Sequence, residues 1–533
     1  MPSIQRFAIG GFLGLVAYGS VIFANTSFAV GGSDSSGYFN AARMLASARL
    51  VKPIWEIETY DLGASFWGAF VPFGFVHGPG MNTIAPLYPP GLPLHVAAFA
   101  VIGGWSAVPF FVIPIAALFS LVLIVRIGRE LGLTEGEAVV SAAIVALCPF
   151  FVFMAIQPMA DVLATAWGLA AVFFALQARR KPSGMLGAGA CFGIAFLVRP
   201  TSVLLLPVLV VASTWTWRRA LNFLAGLAPF LAVFFGYNSA AFGSPLATGY
   251  GGAGLLSAFT PRTFPQRFPE YVGWLAKTMS PLLLLGALFF FLPSRRSPSL
   301  RALLLAWSAP FLLFFSCYAY NPDVPWWDLR FLLPAVPPLV IAAVLVWQDW
   351  ILPTLRGAAG RSISIAASLS ALAIVFGFEL HQIRAQRVLL TDEDQLRYPR
   401  ACALASARAA EGSLLLSRTM SGAIHYYTEF TPVRWDSLRP EQFQILRDRV
   451  ESRGVTLYAL LFPDEIAGLR ALCPGEWTKI GETMDISLWK LERKREAQLL
   501  PSRGTRIVII SPPTRHVAGV CSTQSPSTWT STG

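Results

Sequence analysis

The sequence predicts a mainly α-helical protein, in which a polytopic bundle of transmembrane helices is followed by a small α/β domain. Hydrophobic residues make up 55% of the 533 residues and charged residues only 13%, and the mean hydropathy is +0.57. Such a chain is too apolar to cover a water-soluble surface. Long apolar runs recur up to about residue 382, and beyond this point the composition becomes that of a soluble domain. These observations indicate a multi-pass membrane protein.

About eleven apolar runs approach the roughly 20 residues that a transmembrane helix needs, and three of them are short. They are predicted at 7–29, 106–125, 137–157, 161–178, 184–198, 201–217, 220–242, 272–293, 301–319, 331–348 and 362–380. A cleaved signal peptide is the alternative interpretation of residues 1–29. Either interpretation leaves Asp34, which follows this run, on the outer side of the membrane.

The positive charge follows the pattern of membrane topology. The chain has 41 Lys and Arg against 29 Asp and Glu, a formal net charge of +12, but the basic residues form small groups between apolar runs. Nucleic-acid binding is therefore not predicted. Because basic loops are cytoplasmic, the N-terminus is predicted inside and the C-terminus outside. The basic groups are Arg6, Arg126 with Arg129, Arg179 to Lys181, Arg218 with Arg219, Arg295 with Arg296, and Arg356 with Arg361.

The stretch 87–104 is apolar but broken by prolines and is too short to cross comfortably. If it crossed, Arg126 and Arg129 would lie outside. It is therefore predicted to lie at the outer face as a juxtamembrane or re-entrant segment, where irregular backbone is tolerated beside a cavity. The first outer loop then covers residues 30–105, and the transmembrane domain covers 1–382.

Residues 383–495 alternate strand-like and helix-like patterns, which predicts a small extracytoplasmic α/β domain. Cys402 and Cys473 are its two cysteines, and we expect them to lie close together, with a disulfide available in an oxidising compartment. The tail 496–533 is rich in Ser, Thr and Pro and is predicted to be disordered.

Charged residues occur where helices meet the predicted outer face. An unpaired charge buried in hydrocarbon costs several kcal/mol, so each needs solvent, a partner or a function. Each also has a structural alternative: Asp34 and Asp161 as helix N-caps, Arg330 as a membrane-surface anchor, and Arg199 as an interfacial residue. The segments concerned are Asp34 with Tyr38, Asn40 and Arg43; "PLYPPGLPL" at 86–94; "QPMADVLAT" with Asp161; and "WWDLRFLLPAVPPL" with Asp328 and Arg330.

In their order along the chain these motifs resemble the polytopic glycosyltransferases of the C superfamily (GT-C). The features are an acid after the first helix followed by a Tyr and small residues, a Tyr-Pro-Pro segment, a "D-x-L-x" helix start, "FLVRPTSVLLLP" at 196–207, and an Arg-Phe-Leu-Leu-Pro helix start. The resemblance covers about residues 1–382. It is to the branch with lipid A aminoarabinose transferases, Rgt-type sugar transferases and, more distantly, protein O-mannosyltransferases.

The resemblance implies a GT-C helical bundle that takes a sugar from a polyprenyl-phosphate donor and transfers it to a lipid or cell-envelope glycan, among membrane lipids. Asp34 is then expected to be the catalytic base, and Asp161 to line the same cavity. Arg330 is expected to bind the lipid phosphate. Such roles suit these residue types, because a carboxylate removes a proton and a cation stabilises a departing phosphate. Tyr38, Tyr88 and Arg199 are the other expected substrate contacts.

The sequence departs from the family pattern at two places. Ser35 follows Asp34 where the family often has a second acid, and Leu87 and Tyr88 precede the Pro-Pro pair where many members carry Lys or an acid. The use of a divalent metal is therefore open; Glu56 and Glu58 are weak candidate ligands.

A transporter or flippase of a lipid-linked intermediate is the alternative function. A carrier needs polar groups near the membrane midplane, whereas an enzyme of this kind needs them on one face. A receptor is a third alternative, for which the soluble domain offers little sequence.

Overall fold

The computed structural model describes residues 2–251, 258–293, 296–319 and 325–493. The side chains of 2–8, 325–326, 359 and 391–392 are not described, and the predicted disordered tail 496–533 lies outside the described residues. The described chain up to Glu492 forms one compact unit.

Helices dominate the first 385 residues, since an α-helix satisfies its backbone hydrogen bonds internally in a bilayer. In the described residues, short 3₁₀ segments lead into four of them: Val108–Phe111, Pro200–Leu205, Pro261–Thr263 and Pro325–Ala335. The α-helices are α1 Pro2–Ala24, α2 Asp34–Ala46, α3 Trp55–Thr59, α4 Gly91–Gly103, α5 Val112–Glu130, α6 Glu135–Leu147, α7 Pro149–Ala155, α8 Ala160–Gln177, α9 Gly184–Val198, α10 Leu206–Ser213, α11 Trp217–Phe242, α12 Phe264–Trp274, α13 Leu282–Leu288, α14 Pro298–Ser316, α15 Val336–Val346 and α16 Leu352–Ala385, which is broken at Gly360.

Among the described residues, six helices are long and apolar enough to cross a membrane, or seven if α6 and α7, bent by 70°, form one span. The eleven predicted runs all fall on helical segments. Fewer have full length because prolines interrupt them, as at Pro149 between α6 and α7 and at Pro281 before α13. The expected mainly helical membrane fold is confirmed.

Helix α8 lies in the interior of the bundle, because 78% of its span is buried, against 11% for the span that begins at Gly360. Two glycines allow α9 and α11 to approach closely. A Cβ at Gly189 would lie 2.0 Å from the Phe223 carbonyl oxygen, and one at Gly226 would lie 2.1 Å from that of Leu186. Small residues at such crossings are typical of membrane helix packing.

The first outer loop contains a three-stranded antiparallel sheet of order β1-β3-β2, formed by β1 Lys52–Pro53, β2 Phe75–His77 and β3 Thr83–Pro86. The Pro-rich segment after β3 leads into α4, an apolar helix of 13 residues, which is shorter than a full span. That 87–104 does not cross the membrane stays a prediction.

The C-terminal region has the predicted α/β composition. Its five-stranded sheet has the order β5-β4-β6-β8-β7, in which β5, β4 and β6 are parallel and the last two strands are antiparallel. The strands are β4 Leu414–Leu416, β5 Thr431–Val433, β6 Leu457–Leu461, β7 Trp477–Thr483 and β8 Ile486–Leu491, and the helices are α17 Thr391–Gln395, α18 Arg397–Arg408, α19 Ser421–Tyr427, α20 Pro440–Glu451 and α21 Glu465–Leu472.

The two faces of this sheet belong to different hydrophobic clusters. Leu415 belongs to the cluster that includes Cys402 of α18, whereas Leu414 and Leu416 belong to the cluster that includes Cys473. Because side chains alternate along a strand, the two cysteines lie on opposite sides of the sheet. Both thiols are free, so the expected disulfide is wrong.

The first outer loop and the C-terminal region share one of these clusters. Phe66, Phe70 and Ile84 of the loop are buried together with Trp435 and Phe443. Hydrogen bonds reinforce the contact: the Arg434 amide donates to the Ala69 carbonyl at 2.7 Å, and Thr431 Oγ1 donates to Glu56 Oε1 at 2.7 Å. The outer loop is therefore held by the C-terminal region as well as by the bundle.

Candidate active site

Four of the predicted site residues meet in two ion pairs. Arg330 Nη1 lies 2.5 Å from Asp34 Oδ2, and Arg199 Nη2 lies 2.8 Å from Asp161 Oδ1. The Asp161 side chain is fully buried, and the side chains of Arg330 and Arg199 are 14% and 19% exposed. Buried charges of opposite sign are therefore paired, as their desolvation requires.

The packing of α8 against α9 explains the second pair. Asp161 is the second residue of α8, and Arg199 directly follows the last residue of α9. The two helices are joined by a short connection and run in opposite directions, so the start of one lies beside the end of the other. The Asp161 oxygens make no hydrogen bond of good geometry, so the contact with Arg199 is an ion pair without an aligned hydrogen bond.

The carboxylate of Asp34 is held on both oxygens. Arg330 binds Oδ2, and the Tyr88 hydroxyl donates a hydrogen bond to Oδ1. The Tyr88 hydroxyl also lies 3.0 Å from Ser33 Oγ. Asp34 is the first residue of α2, but its side chain makes these contacts instead of capping the helix. Met159, and not Asp161, is the N-cap of α8, so the capping alternative is wrong for both acids.

Burial of Asp34 by itself raises the pKa of its carboxyl group. The charge of Arg330 and the hydrogen bonds from Tyr88 and Arg330 act in the opposite direction and outweigh burial, so the pKa lies below its usual value of 3.8. Asp34 is therefore a carboxylate at neutral pH and has the lone pairs that a proton acceptor needs.

The expected aromatic residues support this arrangement. The rings of Tyr38 and Tyr88 lie 4.6 Å apart between centroids, and Tyr38 is buried. A Cβ at Gly37 would lie 2.5 Å from the Tyr88 ring, so glycine at this position allows Tyr88 to reach Asp34. In the structure Tyr88 positions Asp34, although it was expected as a substrate contact.

The two guanidinium groups lie on one aromatic ring. The Cζ atoms of Arg199 and Arg330 are 5.1 and 4.9 Å from the centroid of Phe331, and Arg330 is also 4.9 Å from the centroid of Trp327. Cation–π contacts of this kind hold a charge in a partly desolvated site. Trp327 therefore lies directly beside the site arginine, Arg330.

Two small cavities border these residues. The first, which we call the polar cleft, has about 260 Å³ of empty space and is lined by Asp161, Arg199, Thr201, Ser202 and Arg330, with Phe331 among its apolar walls. The second, the aromatic cavity, has about 250 Å³ and is lined by Tyr88, Pro200, Tyr237, Asn238 and Tyr250, among others. Pro200 lines the aromatic cavity, and Arg199 and Thr201 on either side of it line the polar cleft, so the two cavities are neighbours.

The C-terminal α/β region contacts the helix that begins with Asp34. Asn40 Nδ2 donates to the Gly422 carbonyl at 3.0 Å, and Arg43 Nη1 donates to the Tyr426 carbonyl at 2.5 Å. The amide of Val30 donates to the Tyr427 hydroxyl at 2.7 Å. The short helix α19 therefore helps to fix the position of α2.

Other residues singled out by sequence lie apart from the ion pairs. Glu56 accepts the hydrogen bond from Thr431. Asp328, two residues before Arg330 in the sequence, is buried. Both of its carboxylate oxygens lack a hydrogen-bond partner within the described part of the chain. The described ranges contain no group of three or more His, Cys, Asp or Glu residues placed to hold a metal ion.

Comparisons with known proteins agree with this architecture. A family model described as dolichyl-phosphate-mannose-protein mannosyltransferase matches residues 88–237. The structure is similar to ArnT from Cupriavidus metallidurans in the apo state, with a TM-score of 0.56 at 15% identity over 91% of this chain and 98% of ArnT. It is also similar to the apo oligosaccharyltransferase of Archaeoglobus fulgidus, with a TM-score of 0.56 at 13% identity over 85% and 70%. A comparison with curated proteins finds no sequence match.

The chain has the GT-C glycosyltransferase fold. The segment that matches the family model includes Tyr88, Asp161 and Arg199, whereas Asp34 and Arg330 lie on either side of it. The Asp161–Arg199 pair therefore lies within the segment matched by the family model, and the Asp34–Arg330 pair lies outside it.

The Asp161–Arg199 pair generates a prediction about stability. Asp161→Asn or Arg199→Gln alone leaves a buried charge without its partner and is expected to destabilise the protein by about 3–5 kcal/mol. The double variant removes both charges and should be less destabilised than the sum of the single variants, as measured by thermal unfolding of the detergent-purified protein. Additive losses would contradict the pairing.

Proposed function

We propose that the protein is a membrane glycosyltransferase that transfers a sugar from a polyprenyl-phosphate-linked donor to a lipid or cell-envelope glycan on the outer face of the membrane. The observation that carries this proposal is the contact between Asp34 and Arg330 at 2.5 Å. It places a candidate base and a candidate phosphate-binding cation next to each other, and glycosyl transfer from a phosphate needs both.

The arginines retain donors for a phosphate. Arg330 uses Nη1 for Asp34 and Arg199 directs Nη2 to Asp161, but the Nε of each is buried and has no hydrogen-bond partner among the described residues. A guanidinium has five N–H donors and suits the geometry of phosphate oxygens. The polar cleft between these two groups is therefore the proposed phosphate site.

The proposed reaction follows from these positions. Asp34 accepts the proton of the acceptor hydroxyl, and the oxygen of this acceptor hydroxyl forms a bond to the anomeric carbon of the donor sugar. The bond between this carbon and the phosphate oxygen breaks, and its electron pair remains on the polyprenyl phosphate, whose added charge Arg330 and Arg199 stabilise. Asp34 returns its proton to solvent or to the released phosphate.

The identity of the donor is supported by analogy with a structure of similar fold. ArnT from Cupriavidus metallidurans bound to undecaprenyl phosphate has a TM-score of 0.57 to this chain at 14% identity, over 91% of this chain and 98% of ArnT. At such identity the similarity establishes the fold, so the polyprenyl-phosphate donor is carried to this chain as part of the proposal.

The outer face is proposed from the distribution of charge. Arg180 at the far end of α8 pairs with Glu130 at the end of α5 at 2.8 Å, so these basic ends lie together, opposite the end that holds Asp161. Basic ends mark the cytoplasmic side. The site then faces outward, and its polar groups lie at one end of the helices, where an enzyme needs them and a carrier does not.

Asp34→Asn tests the chemistry. The amide keeps the shape and the contact with Tyr88 but cannot hold a proton, so turnover with a polyprenyl-phosphate sugar should fall by about two to four orders of magnitude. Asp485→Asn is the control, because Asp485 also pairs with an arginine, Arg397, but at an exposed position of the soluble domain. The proposal fails if Asp34→Asn, at matched folded amounts, transfers sugar as fast as Asp485→Asn.

Reporter fusions test the orientation. A reporter that is active only outside the cytoplasm should be active when fused after residue 490. The same reporter fused within the basic loop at Arg179 to Lys181 should be inactive. The opposite pattern would place the site on the cytoplasmic side and contradict the proposed outer-face reaction.

A further inference from the structure

Glu379 of α16 lies in the interior of the bundle without a charged partner. It is 0% exposed, although only 11% of the span that carries it is buried. Neither carboxylate oxygen makes a hydrogen bond of good geometry, and neither belongs to an ion pair, among the described residues. We propose that Glu379 binds a proton and, as a neutral carboxylic acid, fastens α16 to the interior of the bundle. This inference does not depend on the proposed reaction.

The other fully buried acids of the described bundle face arginines. Asp161 is paired with Arg199, and Asp328 interacts electrostatically with Arg267 and Arg330. A cation of this kind allows a carboxylate to stay ionised in an apolar interior. For a buried acid that lacks one, binding a proton removes the charge, which costs far less than burying it.

The groups around Glu379 come from three other segments of the bundle. Ser280 follows a π-helical turn, Leu275–Met279, and its hydroxyl neighbours the carboxyl group without an aligned hydrogen bond. The Cys148 thiol, at the break between α6 and α7, interacts electrostatically with Glu379 and with the Tyr18 hydroxyl of α1. The described titratable neighbours are therefore a thiol and a phenol, and neither supplies a positive charge.

This carboxyl group lies well inside the bundle and not at the helix ends. Glu379 and Tyr18 are each about 9 Å from the ends of their helices, Ala385 and Ala24, at 1.5 Å per residue. Ile383, one turn along α16, packs in one hydrophobic cluster with Tyr18. The site is therefore closed to bulk solvent, and an ionisable residue in such a position is a candidate for function.

The bound proton gives Glu379 a hydrogen-bond donor. A carboxylate only accepts hydrogen bonds, whereas a carboxylic acid donates one and accepts others, so it can pair with the Ser280 hydroxyl in either direction. Helix α16 leads from the bundle to the C-terminal α/β region, whose helix α19 contacts α2. Loss of the proton leaves a charge in this interior, so a rise in pH is expected to weaken the attachment of α16.

Thermal unfolding of the detergent-purified protein tests the site. In the unfolded chain a Glu loses its proton near about pH 4, whereas the folded chain is expected to keep the proton of Glu379 to higher pH. Between these two points the folded state binds more protons, so its stability falls as the pH rises. Glu379→Gln keeps the shape but has no proton to lose. The Tm difference between this variant and the wild type should therefore shift in favour of the variant by at least about 3 °C between pH 5 and pH 9.

Asp349→Asn is the matched control, because Asp349 is a largely buried acid of the bundle that pairs with Arg296 at 2.9 Å. A carboxylate that has a cation needs no proton, so the Tm difference of this variant from the wild type should stay constant over the same range. Parallel Tm curves for the wild type and Glu379→Gln would overturn the proton site. A wild-type Tm at pH 9 that is restored by sodium chloride, but not by choline chloride, would assign the carboxylate to a metal cation and also overturn it.

A hydrophobic carbodiimide gives a second readout on the wild-type protein. The carboxylic acid adds across one C=N bond of the reagent: its oxygen bonds to the central carbon, its proton moves to nitrogen, and the adduct rearranges to a stable N-acylurea. Dicyclohexylcarbodiimide should label Glu379, as detected by mass spectrometry of peptides, and should leave Asp349 unlabelled. No label on Glu379 at pH 6, or equal labelling of Asp349, would contradict the inference.

Discussion

The need to pair charges at the end of the helical bundle that holds Asp161 and Arg199 is the constraint on which the rest of the site depends. An uncompensated buried charge costs several kcal/mol, so Asp34 and Asp161 are each stabilised by a basic partner. Asp34 meets Arg330 from almost three hundred residues further along the chain, and Asp161 meets Arg199 from the next helix. The two pairs join the outer loop, the central helices and the segment before α15, and Asp161, Arg199 and Arg330 line the polar cleft.

The outer loop and the C-terminal α/β region both contact α2, the helix that begins with Asp34. The helix that begins with Asp34 is held from the bundle side by Tyr88 and from the other side by contacts of Asn40 and Arg43 with α19. Preorganised groups of this kind act on a transition state without a reorganisation penalty. The soluble region thereby has a structural part in the proposed reaction, although it contributes no residue to either cavity.

The sequence predicted the helical bundle and the α/β region, because long apolar runs and alternating strand and helix patterns have few explanations. It also singled out Asp34, Asp161, Arg199 and Arg330 as lone charges in apolar surroundings, and the structure brings these four together in two ion pairs. Their roles in the reaction stay a proposal. The sequence could not assign partners, since any acid and any arginine at the outer face are equivalent in sequence. Cys402 and Cys473 were wrongly paired because composition does not tell which face of the sheet each helix covers.

The central claim is that Asp34 acts as a carboxylate whose proton affinity is set by Tyr88 and Arg330. The most direct measurement is the pH dependence of kcat/KM for sugar transfer by the wild-type protein and by Tyr88→Phe. Activity that needs the ionised carboxylate is lost as the pH falls through its pKa, which lies below the usual value in the wild type. Removal of the Tyr88 hydrogen bond raises this pKa, so the account predicts that the acid limb of Tyr88→Phe moves to higher pH. An acid limb at the same pH in both proteins would contradict it.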